Sequence, residues 1–135
     1  MHIIWIVLIL IEKYYICIVV DKNAYRDEIK KTLFEKFKRE NAFWSYDSNL
    51  ITPESLQDDQ FIAMTMRYLD LPDIDQLFTI FSMQKIKNAW KKFLVPEGDY
   101  LFTLNRFFAW YYFNAKRPDS YIKSIQTRYI NSLYS

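Results

Sequence analysis

Hydrophobic residues recur every three or four positions in six stretches of the chain, which is the period of amphipathic α-helices. The stretches cover residues 23–40, 58–69, 72–81, 82–94, 100–114 and the segment after Pro118. Short connectors separate them, without internal repeats or a long linker. The pattern predicts an all-α fold, a compact bundle of five or six short helices that forms a single helical domain over residues 23–135.

Residues that favour the cap position of a helix precede most of these stretches. The predicted N-terminal caps are Asn23, Ser55 or Asp58, Asp73, Ser82 and Asp119. Their side-chain oxygens can accept hydrogen bonds from the free backbone N–H groups of the first helical turn. In the last helix, Tyr129 and Ile130 fall on the hydrophobic side and are expected to face the core together with Ile122 and Ile125.

The stretch 100–114, YLFTLNRFFAWYYFN, is hydrophobic around nearly its whole circumference and contains neither Gly nor Pro. Its predicted inner face consists of Leu101, Leu104, Phe108, Tyr111 and Tyr112, widened by Phe102, Phe107, Trp110 and Phe113. Only Asn105, Arg106 and Ala109 remain as a polar or small strip on the other side. Because helices of this kind are normally central in a core, 100–114 is expected to be the most buried helix.

Residues 1–22 differ from the rest of the chain because they are rich in Ile and Val and lack helix caps. As a membrane span, their twelve Ile, Leu and Val residues contribute about −4 to −7 kcal/mol, and Glu12 and Lys13 cost roughly 5 to 7 kcal/mol. A secretory signal would need a basic start and a small-residue cleavage site, and a β-strand would need a partner strand. A buried or interfacial helix is the favoured interpretation of residues 1–20, while a translated leader and a membrane anchor stay open.

Residues of the kind that carry catalysis are few. Gly98 is the single glycine, which excludes Gly-rich phosphate-binding loops, and the single His2 and Cys17 both lie in the apolar N-terminal segment. The lone cysteine fits a reducing, cytoplasmic location. Asp73 and Asp75 have the spacing of the magnesium-binding pair of nucleotidyltransferases, but the Gly-Ser element that must precede such a pair is missing. We therefore expect no enzymatic activity, no metal, no cofactor and no small-molecule substrate.

Charge is distributed unevenly along the chain. Residues 1–83 carry nine Lys and Arg against thirteen Asp and Glu, whereas residues 84–135 carry nine against three. This difference predicts an acidic surface around Glu54–Asp75 and a basic surface from Lys85 onward. A basic half can hold an acidic protein partner or nucleic acid, and a dipolar molecule with solvated faces is the simpler interpretation.

A tight junction at Phe81-Ser82-Met83 separates two of the predicted helices. In a helix-turn-helix interpretation, residues 84–94 form the recognition helix and direct Gln84, Lys87, Asn88 and Lys91 toward DNA. The Gly that is usual in such a turn is absent. A junction within a bundle is the simpler interpretation, and a DNA-binding regulator is the alternative function.

The supply of aromatic residues, with 11 Tyr, 11 Phe and 4 Trp, exceeds what a bundle of this size readily hides, so we expect an exposed aromatic patch. Aromatic and Arg side chains are enriched at the energetic centres of protein interfaces. The candidate partner-binding residues are Trp44, Tyr46, Lys87, Trp90, Lys91 and Arg106, although Trp44 and Trp90 suit a core better than a contact. The sequence therefore favours a non-catalytic module that binds another protein, with nucleic acid as the alternative partner and a membrane disfavoured.

Four segments together resemble a known family: FWSYD (43–47), RYLDLPDIDQLFTIF (67–81), KIKNAW (85–90) and LNRFFAWYYF (104–113). The family is an uncharacterised group of short, helical bacterial proteins of Bacteroidetes-type genomes. Its members are often encoded directly upstream of nucleotidyltransferase-type toxins of the abortive-infection kind. The resemblance rests on hydrophobic and aromatic positions, which identify a fold more securely than an activity. It implies that the chain is the antitoxin or adaptor partner of such a toxin.

Overall fold

A computed structural model describes residues 2–43 and 50–134 of the chain. Within the first helix it describes the side chains of Val7, Leu10, Ile11 and Lys13, and of every residue from Lys22 onward. The described residues form α1 (His2–Arg39), α2 (Asp58–Tyr68), α3 (Leu71–Ile80), α4 (Met83–Phe93), α5 (Phe102–Tyr111) and α6 (Pro118–Leu133), with 3₁₀ segments at Pro53–Ser55 and Val95–Leu101. No strand occurs among these residues, so the all-α class is confirmed, although α1 with its 38 residues is not short.

The first helix is continuous from His2 to Arg39, so the helix start predicted at Asn23 is wrong. Neither Gly nor Pro interrupts this stretch, and nothing in the local sequence forces the backbone out of the helical conformation. The helix favoured for residues 1–20 is present from His2 onward. Val7, Leu10 and Ile11 are exposed, which argues against the buried alternative, and the interfacial alternative stays a prediction. None of the helices in the described ranges combines the length and the apolar character needed to traverse a membrane.

The core centres on α2 and α4, which pack against each other. Five of the eleven residues of α2 are buried, and the hydrophobic side of α4 buries Ile86, Ala89 and Trp90. Phe37 of α1 packs edge-on against Phe61 of α2, with ring centroids 5.2 Å apart. The sides of α2 and α4 that hydrophobic periodicity assigns to the core are the sides that pack there.

The orientation of α5 differs from the prediction. The helix buries three of its ten residues, Asn105, Phe108 and Ala109, so it is not the most buried helix. Two of the three belong to the strip that was predicted to face away from the core. The cause is Trp90, whose buried indole N–H needs an acceptor: Nε1 of Trp90 donates to Oδ1 of Asn105 at 2.9 Å. Burial of Asn105 and Ala109 turns the opposite side of α5 toward solvent.

The predicted cap of α4 is confirmed, because Oγ of Ser82 accepts a hydrogen bond from the backbone N–H of Lys85 at 3.2 Å. The residue that precedes α2 is Gln57, so the prediction of Ser55 or Asp58 as its cap is wrong. Asp58 is instead the first residue of α2, where the helix dipole favours a carboxylate.

Two further predicted caps are wrong, because the helices begin earlier than the acidic residues. The cap position of α3 is held by Asp70 rather than Asp73, and that of α6 by Arg117 rather than Asp119. In each helix a Pro occupies one of the first two positions, where its fixed φ suits the helix and its missing N–H costs nothing. Asp73 and Asp119 therefore lie in the first turns.

The C-terminal turns of α6 extend past the elements that support the helix. Ile122 and Ile125 are buried against α5 and the Val95–Leu101 segment, but Tyr129 and Ile130 are exposed, so the prediction that they face the core is wrong. Hydrophobic periodicity marks a side of a helix without stating how far along its length a neighbour covers that side.

Candidate protein-binding surfaces

Three of the six residues predicted to contact a partner do not contribute to a described surface. Trp44 and Tyr46 lie outside the described residues. Trp90 is fully buried, so its side chain belongs to the core and is not available to a partner. Its prediction as a contact residue is therefore wrong, and the core interpretation of Trp90 is correct.

The other three predicted residues lie on two different helices. Lys87 and Lys91 are on the side of α4 that borders α6: Nζ of Lys87 lies 5.4 Å from the ring centroid of Tyr121, and Lys91 lines a groove between the two helices. Arg106 is exposed on α5, where its Nε lies 2.6 Å from Oδ1 of Asp119. Lys87 and Lys91 therefore lie on the same side of α4, whereas Arg106 lies on a different helix, α5.

Three aromatic side chains of α5, Phe107, Trp110 and Tyr111, form an exposed cluster that we name the aromatic surface. Trp110 is 60% exposed and Tyr111 50% exposed, and Phe107 is half-buried between them and the core. The rings of Phe107 and Tyr111 stack with centroids 5.2 Å apart, and the Trp110 centroid lies 6.3 Å from Phe107 and 6.2 Å from Tyr111. These contacts fix the rings relative to one another, and the expected exposed aromatic patch is found here.

A shallow groove of about 360 Å³ borders the aromatic surface, lined by Thr103, Arg106, Phe107, Trp110 and Pro118. The ion pair between Arg106 and Asp119 stands at this groove, with both side chains about half exposed. Exposed pairs of this kind contribute about 0–1 kcal/mol to stability. Oδ1 of Asp119 is nevertheless buried and has no hydrogen-bond partner among the described residues, so the charge of Arg106 is its nearby compensation.

Tyr112 anchors the C-terminal end of α5 to α3. Its ring stacks on Phe78 with centroids 4.8 Å apart, and its hydroxyl donates to Oδ1 of Asp75 at 2.8 Å. Burial, together with the hydrogen bond to Asp75 and the negative charge of that carboxylate, raises the pKa of Tyr112 well above its ordinary value. The hydroxyl of Tyr112 therefore stays protonated and remains a hydrogen-bond donor. The ring of Tyr111 packs edge-on against the ring of Tyr112, with centroids 4.8 Å apart, so the contacts of Tyr112 with α3 also support Tyr111.

Sequence reasoning did not identify Trp110 and Tyr111 as surface residues, although a signal for their exposure was present. Asn105 and Ala109 are four residues apart and share one side of the helix, and a buried Trp needs an acceptor such as the Asn amide. The side of α5 that provides the hydrogen-bond acceptor for a buried indole must face the core, even though its residues are polar or small. The aromatic residues on the other side of α5 must then face solvent.

Three cations surround Asp58 at the start of α2. Its carboxylate lies 3.2 Å from Arg26, 2.9 Å from Lys30 and 2.6 Å from Lys85, and the ring of Phe81 lies within 5.5 Å of the same three cations. Burial by itself raises the pKa of Asp58, but the hydrogen bonds and charges of Lys85 and Lys30 outweigh it and lower the pKa to about 2. The charged carboxylate joins α1, α2 and α4, and the three cations are already satisfied within the fold.

The lysines of α4 are mostly engaged in the same way. Lys85 pairs with Asp58, Lys92 pairs with Asp59 at 3.1 Å, and Lys87 lies over aromatic rings. Lys91 is the α4 lysine that has no ion pair or ring contact among the described residues. In addition, two of the residues assigned to DNA contact, Asn88 and Lys91, line a groove between α4 and α6. A recognition helix instead needs a free convex side to enter a major groove.

The two carboxylates considered for magnesium binding do not converge. Asp73 is buried and forms an ion pair with Lys36 of α1, whereas Asp75 accepts the hydrogen bond from Tyr112 at the C-terminal end of α5. Each carboxylate thus serves a contact between helices. Within the described part of the chain, no three His, Cys, Asp or Glu side chains are arranged to hold a metal ion.

In comparisons with known proteins, the chain matches no protein-family model, no curated protein and no solved structure. The resemblance to the short bacterial proteins therefore stays a prediction, and the function has to be argued from the surfaces themselves.

Proposed function

We propose that the chain is a non-catalytic protein-binding module and that the aromatic surface is its main contact with the partner. The observation that carries the proposal is the exposure of Trp110 and Tyr111 on a helix whose other side is locked into the core through Asn105 and Phe108. Large aromatic side chains in a fixed arrangement lose little conformational entropy when they are covered.

Trp110 exposes enough area to act as an anchor residue of an interface. The exposed 60% of Trp110 corresponds to roughly 150 Å², and covering it is worth about 4 kcal/mol at 25 cal/mol per Å² before the costs of association are subtracted. Tyr111 and the groove beside Arg106 extend the same contact. Anchors of this size are the ones that dominate measured interface energies.

The partner that the resemblance supports is a nucleotidyltransferase-type toxin, so we propose that the chain acts as its antitoxin or adaptor in the bacterial cytoplasm. Such a partner would bring the catalytic machinery, and this chain would cover part of it. The competing proposal is a DNA-binding regulator that uses α4, and the unpaired ammonium of Lys91 is the observation that supports it.

Co-purification with the product of the neighbouring gene tests the proposal. The unchanged chain should retain that product at high salt, and the double variant Trp110→Ser, Tyr111→Ser should lose affinity at least about tenfold, since each ring is worth more than about 1 kcal/mol. Tyr100→Ser is the matched control, because Tyr100 is 84% exposed and lies outside the aromatic surface. Circular dichroism of each variant checks that the bundle stays folded.

Two outcomes would overturn the proposal. One is equal retention of the partner by the double variant and by the unchanged chain. The other is no association with the neighbouring product, combined with operator binding that weakens steeply with salt and is lost in Lys87→Ala and Lys91→Ala. The second outcome would establish the regulator, because counterion release makes phosphate contacts strongly salt-dependent.

A further inference from the structure

A groove of about 400 Å³ runs between α4 and α6 and shares no residue with the aromatic surface. We name it the basic groove, and the side chains that line it are Asn88, Lys91, Lys92, Ile125, Arg128 and Tyr129. The two helices run in the same direction, because Lys87 early in α4 lies against Tyr121 early in α6, and Lys91 lies opposite Arg128 further along both. The buried Ile125 forms the apolar floor.

The charges of the basic groove are not balanced from within. Lys91 and Arg128 form no ion pair in the part of the chain that the structure describes, and none of the side chains that line the groove is acidic. The other lining cation, Lys92, is held by Asp59 at the outer edge. Lys91 is intermediate in exposure and Arg128 is exposed. An external carboxylate would supply the counter-charge that both cations lack.

We propose that the basic groove binds an acidic peptide segment of a protein partner, with carboxylates on Lys91 and Arg128 and an apolar side chain against Ile125 and Tyr129. The chemistry of the occupant follows from the lining: two unpaired cations on opposite walls and an apolar floor between them. The inference rests on the proposed function only in that the partner is a protein. The site is separate from the aromatic surface and can fail or hold independently of it.

The observations favour a peptide over nucleic acid. Phosphate backbones are bound by rows of cations, but two of the four α4 lysines, Lys85 and Lys92, are neutralised by Asp58 and Asp59 of α2. The exposed residue beside the unpaired cations is Tyr129, which is suited to an apolar side chain as well as to a base. Nucleic acid is therefore the outcome against which the peptide is tested.

Fluorescence anisotropy with a labelled synthetic peptide tests the site on the full chain. The probe has about 12 residues, long enough for three helical turns, and carries Glu and Leu at helical spacing. A second peptide with Gln in place of every Glu is the probe control. The variants are Lys91→Glu and Arg128→Glu, and Lys123→Glu is matched to them because Lys123 lies about 200° round α6 from Ile125 and makes the same change of charge.

The proposal expects saturable micromolar binding of the Glu peptide. Lys91→Glu and Arg128→Glu should each weaken it by about tenfold or more, and Lys123→Glu should change it by less than about twofold. The Trp110→Ser, Tyr111→Ser variant should bind the peptide normally, which separates this site from the proposed function. No saturable binding below about 1 mM, equal binding of the Gln peptide, or stronger competition by an oligothymidylate of about 12 nucleotides would each overturn the proposal.

Discussion

Replacement of Asn105 by alanine should destabilise the fold by about 2–4 kcal/mol, because it leaves a hydrogen-bond donor of the core without an acceptor. Asn105 and Trp90 are both fully buried, and Nε1 of Trp90 donates to Oδ1 of Asn105 at 2.9 Å. The orphaned indole N–H costs about 1–3 kcal/mol, and the small cavity adds about 1 kcal/mol. The Leu94 carbonyl is not orphaned, since it also accepts from the backbone N–H of Glu97 at 3.2 Å.

Urea unfolding followed by circular dichroism measures this cost without relying on the fluorescence of the four Trp residues. Asn88→Ala is the matched control, because Asn88 is exposed and its side chain accepts only from Gln84, so the change should stay within about 0.5 kcal/mol. A double-mutant cycle with Trp90→Phe should give a coupling energy of about 1–3 kcal/mol. An Asn105→Ala variant as stable as the control, or a cycle in which the two changes simply add, would refute the reasoning.

The same assay checks three further predictions. Asp58→Asn should cost about 1 kcal/mol at pH 7, after allowance for the 30% exposure of the carboxylate. Because the folded pKa of about 2 lies below the ordinary 3.8, this stabilisation is complete above about pH 4 and is lost as the pH falls through 2. A difference from the unchanged chain that is undiminished at pH 2 would contradict this, and Asp99→Asn is the control. Phe108→Ala should cost about 3–5 kcal/mol, since the ring is fully buried, and an unaltered stability would rule out its place in the core. A chain that begins at Lys22 should have a free energy of unfolding within about 1 kcal/mol of that of the full chain, because the described side-chain contacts of α1 with other elements begin at Arg26. An insoluble product would show that earlier residues complete the fold.

Helical periodicity was sufficient to predict α2, α3 and α4, because each has one hydrophobic side and a polar remainder. Ile62, Ile74 and Ile86 are all buried as their spacing requires. The start of α1 could not be predicted in the same way. An N-terminal cap such as Asn23 is a preference of about 1 kcal/mol, and a continuous run without Gly or Pro overrides it.

For α5 the pattern could not choose a side, because hydrophobic residues surround the helix. The choice depended on a contact with another element, the hydrogen bond between Asn105 and Trp90, which lie 15 positions apart in sequence. The candidate sites show the same limit. Lys91 was identified on α4, but Arg128, the other unpaired cation of the basic groove, belongs to α6, and only the tertiary arrangement of the two helices brings both to one groove. Hydrophobic periodicity describes one helix at a time, whereas a groove is formed by two helices that lie side by side.

The uneven charge of the chain acts within the fold before it acts on a partner. Asp58 and Asp59 of the acidic half pair with Lys85 and Lys92 of the basic half, at 2.6 and 3.1 Å, across the central contact of α2 with α4. A carboxylate that already has a cation beside it contributes little field at a distance, so the acidic surface expected around Glu54–Asp75 is weaker than its composition suggests. Lys91 and Arg128 of the basic groove have no such pairs among the described residues, and their field stays open to solvent. A partner guided by charge should therefore be acidic where it meets α4 and α6. The association rate of such a partner should depend less strongly on salt in Lys91→Glu and Arg128→Glu than in the unchanged chain, even where the aromatic surface supplies most of the affinity.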